Sequence, residues 1–343
     1  MRLGSCAALS VLVAALSAPN GEVLARSSAD APLMQRHLVE IEGGRRLNFV
    51  CAGKGSPTLV FESGLGANLL TWQKVIGPVS QIGRACFYDR AGYGYSDPPG
   101  RASTAANAAD DLHHLLRRAH IGRPVVLVAH SLGGLYATLY ADRYPDDVAG
   151  LVLIDPSFAE QDKDEDASER AKDEITFRDS VARLHGCADL ARAGKLISEK
   201  HGECFGLAPD RTPKEKSFLT YQAVRPNRYE AMASEATSLH SPDGRSDIDS
   251  LQEISERRSF GVKPVIVLTA ALAEDANAAA SDRAIAEHDW QSWKAGHDAL
   301  AARSGNGKST VIAATSHFIQ MDQPSAVVSA IEDVVTTLRQ KRR

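Results

Sequence analysis

A serine enclosed by small residues is the first candidate for chemistry in this chain. Residues 125–137 read Val-Val-Leu-Val-Ala-His-Ser-Leu-Gly-Gly-Leu-Tyr-Ala, so Ser131 stands between a β-branched run and a helical pattern. Ala129 and Gly133 are small enough for a sharp turn from strand to helix, in which the two backbones nearly touch. Such a turn projects the hydroxyl outward and places the N–H of Leu132 at a positive helix N-terminus. The pattern predicts Ser131 as a nucleophile and Leu132 N–H as an oxyanion donor; a serine that only caps the helix is the alternative.

A serine nucleophile needs a base, and the sequence offers eleven histidines. His317 comes shortly after a strand-like run at 310–314, where a loop could carry its ring back over the serine. His130 is expected to point away from the serine across the turn, and His288 and His297 fall in a helix-like stretch. We therefore predict His317 as the general base, against the alternative of a loop histidine bonded to backbone.

The elements that must position these residues alternate between strands and helices. Strand-like apolar runs in the first half occur at 47–51, 58–62, 85–88, 125–129 and 151–154, with helical stretches at 103–119 and 132–144. Charged helical segments then interrupt the pattern over 158–258, and strands resume at 264–269 and 310–314 before a last amphipathic helix at 325–339. Alternation of this kind predicts an α/β fold with a parallel sheet, helices on both faces and a helical insertion.

Several stretches together resemble the α/β-hydrolase superfamily. They are Phe-Glu-Ser-Gly-Leu-Gly at 61–66, Tyr-Asp-Arg-Ala-Gly-Tyr-Gly-Tyr-Ser-Asp at 88–97, Ala-His-Ser-Leu-Gly-Gly at 129–134, Gly-Leu-Val-Leu-Ile-Asp-Pro at 150–156 and Ser-His-Phe-Ile-Gln at 316–320. The resemblance implies a mostly parallel eight-stranded sheet, a cap inserted after the sixth strand, and catalytic residues in the chain order serine, acid, histidine. The expected organisation is a core at 26–157 and 259–343 with a helical cap at 158–258.

The same resemblance implies where the catalytic acid should be, but leaves two main candidates. Asp155 ends the sixth strand, a position that some lipases of the superfamily use, and we prefer it slightly. Asp275 follows the seventh strand, the commoner position in the superfamily, although its surroundings lack the usual glycine-led pattern. Glu274 and Asp282 are weaker candidates. Asp155 could instead only hydrogen-bond to backbone or cap the following turn.

A glycine-containing loop after the third strand resembles the one that supplies the second oxyanion donor in this superfamily. Residues 63–66 read Ser-Gly-Leu-Gly, which implies Leu65 N–H as the partner of Leu132 N–H. An ordinary glycine turn is the alternative. Residues 89–94 are expected to have a structural role, supporting the side of the substrate pocket rather than taking part in the chemistry.

The resemblance implies hydrolysis of a carboxylic ester through an acyl-enzyme intermediate, with a small acyl compound as substrate. Amides, lactones and thioesters are alternatives, with the prolyl aminopeptidases as the nearest rival. A dehalogenase or epoxide hydrolase is disfavoured because its turn would carry aspartate at the position of Ser131. A noncatalytic binding protein on the same fold is the alternative from another class.

The N-terminal residues have the pattern of an export signal. Arg2 precedes an apolar run at 6–18 that is too short to span a bilayer, and Val-Leu-Ala at 23–25 offers a small-residue cleavage site. We predict a signal peptide at 1–25, cleavage after Ala25, and a periplasmic or secreted protein with no stable membrane span. An uncleaved anchor or a different start codon is the alternative.

Four cysteines remain after the predicted signal peptide, an even number in a chain expected to be exported. They permit three pairings, of which sequence order suggests Cys51 with Cys86 and Cys187 with Cys204. The family's strand order also implies the first pair, because it places the second strand beside the fourth. The second pair would then form a cross-link within the predicted cap. Free buried thiols are the alternative.

Composition and motif spacing argue against several other classes of function. The formal net charge of −4 gives no general attraction to nucleic acid or to anionic membranes. No Cys-x-x-Cys or His-Glu-x-x-His motif is present, so we predict no metal and no cofactor. The glycine-rich stretch at 304–310 has Ala302 where a phosphate-binding loop needs glycine, and we predict an ordinary turn there.

Overall fold

A computed structural model gives the architecture of most of the chain. It describes residues 32–164, 167–205, 211–241, 246–272 and 279–341, and the predicted signal peptide lies outside these ranges. The strands are β1 (Leu38–Glu40), β2 (Arg46–Ala52), β3 (Thr58–Glu62), β4 (Arg84–Tyr88), β5 (Val125–His130), β6 (Val148–Ile154), β7 (Gly261–Ala270) and β8 (Ser304–Ile312). They form one sheet in the order β1-β2-β4-β3-β5-β6-β7-β8. The pairs β1–β2 and β2–β4 are antiparallel and the others parallel, which confirms the predicted fold class.

Helices cover both faces of this sheet. Within the described ranges they are α1 (Ile76–Ile82), α2 (Ala105–Arg118), α3 (Leu132–Arg143), α4 (Ala167–Arg192), α5 (Gly202–Phe205), α6 (Pro213–Ala223), α7 (Pro226–Leu239), α8 (Ile248–Glu256), α9 (Ala280–Ala302), α10 (Ile319–Asp322) and α11 (Pro324–Gln340). Successive residues of β5 alternate between two apolar cores: Leu127 packs with α2 and α3, whereas Val128 packs with α1 and α11. Burial on both faces explains why this strand is an unbroken apolar run in the sequence.

The segment between β6 and β7 carries α4 to α8, where the sequence predicted a helical insertion. Helices α4 and α7 pack against each other, and α8 packs against α3 of the sheet layer. The domain limits at 157/158 and 258/259 remain predictions, because these helices share the α2–α3 apolar core with the sheet.

The prediction of a turn at 304–310 was wrong. These residues form most of β8, and the predicted strand at 310–314 overlaps only the last three residues of β8. As an edge strand that is largely exposed, β8 carries a polar, glycine-rich sequence that hides the usual strand pattern. Gly307 serves packing rather than phosphate binding, because a Cβ atom there would lie 1.9 Å from the carbonyl oxygen of Ala301 in α9.

Both predicted disulfides are present. Cys51 of β2 lies directly opposite Cys86 of β4 in the antiparallel register, with the two Cα atoms 4.1 Å apart. Cys187 of α4 is bonded to Cys204 of α5, so the second bond joins two helices of the inserted segment.

Removing the first disulfide by replacing Cys51 and Cys86 with alanine is expected to lower the free energy of unfolding by roughly 3–4 kcal/mol, because the bond closes a loop with a sequence separation of 35. The matched double variant at Cys187 and Cys204 opens a loop with a separation of 17 and should lose about 3 kcal/mol. Urea unfolding without reductant measures both. An unfolding midpoint equal to that of the parent protein would contradict a stabilising role for either bond.

Candidate active site

Ser131 occupies a sharp turn between β5 and α3. Its backbone has φ 55° and ψ −130°, an unfavourable conformation for a residue other than glycine. Three backbone hydrogen bonds hold it there. Ser131 N–H donates to the Ile154 carbonyl at 3.1 Å, and the Ser131 carbonyl accepts from Gly134 N–H at 2.7 Å and from Ser157 N–H at 2.9 Å. A backbone held in a rarely populated conformation by its surroundings is typical of functional sites.

Two glycines after the serine allow the close approach on which this turn depends. A Cβ atom on Gly133 would lie 2.6 Å from the Ser63 carbonyl oxygen and 2.8 Å from that of Glu62, at the end of β3. A Cβ atom on Gly134 would lie 2.2 Å from the Cβ of Pro156. The small residues of the sequence motif therefore have a direct steric cause, since α3 begins between the ends of β3 and β6, the two strands that flank β5.

Asp155 follows β6 and is fully buried. One carboxylate oxygen, Oδ1, accepts hydrogen bonds from Ala270 N–H and from Trp293 Nε1, each at 3.0 Å. The other, Oδ2, lies 2.7 Å from Nδ1 of His317. Burial by itself would raise the pKa of Asp155, but the hydrogen bond and the charge of His317 outweigh it and hold the pKa below its usual value. The carboxylate therefore stays ionised and keeps the proton of His317 on Nδ1, which leaves Nε2 as the proton acceptor.

His317 lies between β8 and α10, and His130 fixes its backbone. The Nε2–H of His130 donates to the His317 carbonyl at 3.0 Å, and the two ring centroids are 4.7 Å apart. Burial, and then the charge of His317, lower the pKa of His130 to about 3, so this ring is neutral near neutral pH. The sequence placed His130 away from the serine but did not predict that it would support the backbone of His317.

The predicted oxyanion loop (residues 63–66) lies against the turn. A Cβ atom on Gly64 would be 3.0 Å from the Cβ of Ser131 and 3.0 Å from Nδ1 of His130. Leu65 follows directly and is buried. Leu132 is the first residue of α3, so its N–H has no acceptor within the helix. The two predicted donors therefore belong to segments that meet beside Ser131.

Of the other acid candidates, only Asp282 lies within the described residues. Asp275 and Glu274 lie outside the described residues, and Asp282 is exposed in the first turn of α9. His288 is exposed on the same helix. His297 is buried, and its Nε2–H donates to the Pro156 carbonyl at 2.8 Å, next to Asp155.

Helix α9 contributes two residues that sequence reasoning did not assign to the site. Trp293 and His297 are four residues apart, so they share one helix face, and that face lies against Asp155 and the residue after it. The four-residue spacing of a tryptophan and a histidine is the only sign of this helix face in the sequence. That spacing does not reveal which strand the helix covers.

A comparison with protein families identifies the fold. The model of the alpha/beta hydrolase fold matches residues 57–324. The chain belongs to the α/β-hydrolase family. Within this α/β hydrolase, no helix in the described ranges is long and apolar enough to cross a membrane. Those same ranges contain no group of three or more His, Cys, Asp or Glu side chains that could hold a metal ion.

This α/β hydrolase is similar to individual proteins in sequence or in structure. The Bacillus subtilis (strain 168) protein YqjL is 32% identical over 108 residues, which are 32% of this chain and 43% of YqjL, so the match spans less than half of that relative. The haloalkane dehalogenase DatA from Agrobacterium tumefaciens C58 has a TM-score of 0.61 at 20% identity, covering 89% of this chain and 97% of DatA. A thermophilic esterase from Thermogutta terrifontis has a TM-score of 0.56 at 20% identity, covering 89% and 99%. At these identities the two structures show the fold alone.

The buried, neutral state of His130 predicts a loss of stability in acid. In the unfolded chain the ring binds a proton near its ordinary pKa of 6.5, whereas in the fold its pKa is about 3. Between these values the unfolded state binds more protons, so acidification favours unfolding by roughly 1.4 kcal/mol per pH unit. His130→Gln removes this titration and retains an amide donor near the position of Nε2.

Urea unfolding near neutral pH and about two units lower measures this effect. The parent protein should lose about 2 kcal/mol more than His130→Gln over that interval. His130→Ala lacks both the titration and the donor to the His317 carbonyl, so it should also lower kcat, whereas His130→Gln should not. If the parent protein and His130→Gln lost the same stability in acid, His130 would not be the buried, neutral group that causes the loss.

Proposed function

We propose that this α/β hydrolase cleaves carboxylic esters through an acyl-enzyme intermediate on Ser131. The observation that carries the proposal is the 2.7 Å contact between His317 Nδ1 and Asp155 Oδ2. The residue before Asp155, Ile154, accepts the backbone N–H of Ser131 in its constrained strand-to-helix turn. In this proposal His317 is the general base and acid, and Asp155 orients it. The N–H groups of Leu65 and Leu132 bind the oxyanion.

Acylation is the first half of the proposed reaction. Nε2 of His317 takes the hydroxyl proton of Ser131 while Oγ forms a bond to the ester carbonyl carbon. The carbonyl oxygen becomes an oxyanion between the Leu65 and Leu132 N–H groups. The tetrahedral intermediate then expels the alcohol oxygen, which receives the proton from His317, and an acyl-serine remains.

Deacylation repeats these steps with water as the nucleophile. His317 takes a proton from water, and the resulting oxygen–carbon bond displaces Oγ of Ser131. The serine recovers its proton from His317, and the carboxylic acid leaves. The ionised Asp155 stabilises the protonated His317 in both halves of the reaction. This stabilisation is effective because Asp155 is fully buried and because Ala270 N–H and Trp293 Nε1–H hold its carboxylate in place.

The residue at the turn supports ester hydrolysis over dehalogenation. A haloalkane dehalogenase is among the structural neighbours, but enzymes of that kind need a carboxylate at the position where this chain has Ser131. The esterase neighbour is consistent with acyl transfer. We also propose export to an oxidising compartment, supported by the two disulfides, which persist in such compartments.

Incubation with a fluorophosphonate probe, followed by intact-mass and peptide analysis, tests the proposal. We expect one adduct, on Ser131, and none in Ser131→Ala. Hydrolysis of p-nitrophenyl esters of graded acyl length, measured beside the matching anilides, then separates an esterase from an amidase. A parent protein that forms no adduct and cleaves no member of either series would favour a noncatalytic binding protein.

A further inference from the structure

A buried guanidinium connects the oxyanion loop to the inserted helical segment. Arg90, which follows β4, has 7% of its side chain exposed and lies between two buried carboxylates. Its Nη1 donates to Glu62 at 2.6 Å, its Nε donates to Glu235 at 2.7 Å, and its Nη2 donates to Glu235 at 3.1 Å. Glu62 ends β3, whereas Glu235 belongs to α7. The side chain of Arg90 thus joins the strand before the loop to a helix residue that lies 145 positions after Arg90 in the chain.

The same guanidinium also binds the loop backbone directly. Arg90 donates to the Ser63 carbonyl through Nη1 and to the Gly64 carbonyl through Nη2, the latter at 2.8 Å. The Gly64 carbonyl and the Leu65 N–H belong to one planar trans peptide group, in which they point in opposite directions. Fixing the carbonyl toward Arg90 therefore fixes the direction of the Leu65 N–H.

Glu235 holds the guanidinium in this position and contacts the loop itself. Its Oε2 accepts from the Tyr93 hydroxyl at 2.6 Å and from Gly66 N–H at 3.5 Å. Glu235 is 1% exposed. Burying a second carboxylate beside a single arginine is energetically unfavourable unless all of its partners are well placed. Its partners here are well placed, and through them Glu235 holds the guanidinium and the loop in one arrangement.

We propose that Glu235 is a positioning residue that acts through Arg90 to hold the Gly64–Leu65 peptide in the orientation needed to bind an oxyanion. The proposal rests on the proposed function, because it assumes that Leu65 N–H is an oxyanion donor. It implies that the inserted segment contributes to catalysis through α7 without touching the reacting atoms.

Glu235→Gln tests the orienting role with little risk to the fold. The glutamine keeps the shape and one acceptor oxygen but loses the charge and the second acceptor, while Glu62 remains to neutralise Arg90. Glu230→Gln is the matched control, because Glu230 lies on the same helix, is 40% exposed and pairs with Arg192 rather than with the loop. Tyr93→Phe, which removes one donor to Glu235, is a milder second variant.

Amide hydrogen exchange reports on the loop independently of any activity. In Glu235→Gln we expect exchange of the peptide covering 63–67 to accelerate by about tenfold, with a smaller effect in Tyr93→Phe and none in Glu230→Gln. Unchanged exchange in both Glu235→Gln and Tyr93→Phe would overturn the proposal. If the parent protein fails to hydrolyse esters, the proposed function fails, but this comparison still decides whether Glu235 orders the loop.

Kinetics with an ester and the corresponding thionoester report on the oxyanion site. Sulfur accepts hydrogen bonds weakly, so the thionoester depends little on the loop donors. Glu235→Gln should lower kcat for the ester by roughly tenfold to a hundredfold with KM nearly unchanged, and should lower the thionoester rate much less. The ratio of the two rates should fall in Glu235→Gln and stay constant in Glu230→Gln. Equal losses on both substrates would show a structural role only and overturn the proposal.

Discussion

Ser131→Ala is expected to reduce kcat on p-nitrophenyl esters by about six orders of magnitude. The substitution removes the only atom at the turn that can form the acyl bond, so the remaining rate comes from substrate binding and from the oxyanion donors acting on water. Alanine also fits the backbone turn, because the bonds that fix Ser131 there come from its main chain. Initial rates at saturating ester measure the loss.

Thr138→Val provides the matched control for this prediction. Thr138 lies in α3, two turns after the serine, and its buried hydroxyl has no hydrogen-bond partner among the described residues. Its removal should leave kcat within about twofold of the parent value, because no bond at the site depends on it. Retention of more than a thousandth of the activity by Ser131→Ala would exclude the serine as the nucleophile.

Asp155→Asn is expected to lower kcat by about four orders of magnitude while leaving the fold intact. Ala270 N–H and Trp293 Nε1–H both donate to Oδ1, so the asparagine oxygen must take that position and its NH₂ group must face His317. The imidazole would then accept at Nδ1 and carry its proton on Nε2. In that tautomer it cannot take the proton of the serine.

Asp275→Asn is the control for the acid assignment, because Asp275 is the other candidate for this role. It should retain nearly all activity, and thermal unfolding should show that both variants are folded. A loss in Asp275→Asn with activity retained in Asp155→Asn would transfer the acid role to the segment after β7. Full activity in both variants would contradict a carboxylate-assisted mechanism altogether.

The turn at Ser131 could be predicted almost completely from the sequence, because it depends on residues that are consecutive in the chain. A buried central strand must be apolar on both faces, and the turn after it requires small residues. Both features are therefore visible in one continuous stretch of sequence. Strands that are very short or lie exposed at the edge of the sheet are harder to predict from the sequence. β1 has only three residues and β8 is a polar edge strand, so neither has the alternation that identifies a strand, and the first was missed while the second was misplaced.

The parts of the site that could not be predicted depend on tertiary placement. Arg90 and Glu235 are 145 residues apart, and their contact depends on where α7 lies over the sheet. Trp293 reaches Asp155 across 138 residues for the same reason. The stretch around Arg90 was predicted to be structural, and its neighbours give no sign that its guanidinium binds two carbonyl groups of the oxyanion loop.

The bond between Cys51 and Cys86 closes a covalent ring that contains β3 and residues 63–66. A single proteolytic cut anywhere inside this ring would leave both new chain ends attached to β2 and β4. The nicked molecule would therefore remain one covalent unit, with the segment beside Ser131 tethered from both sides, until the disulfide is reduced.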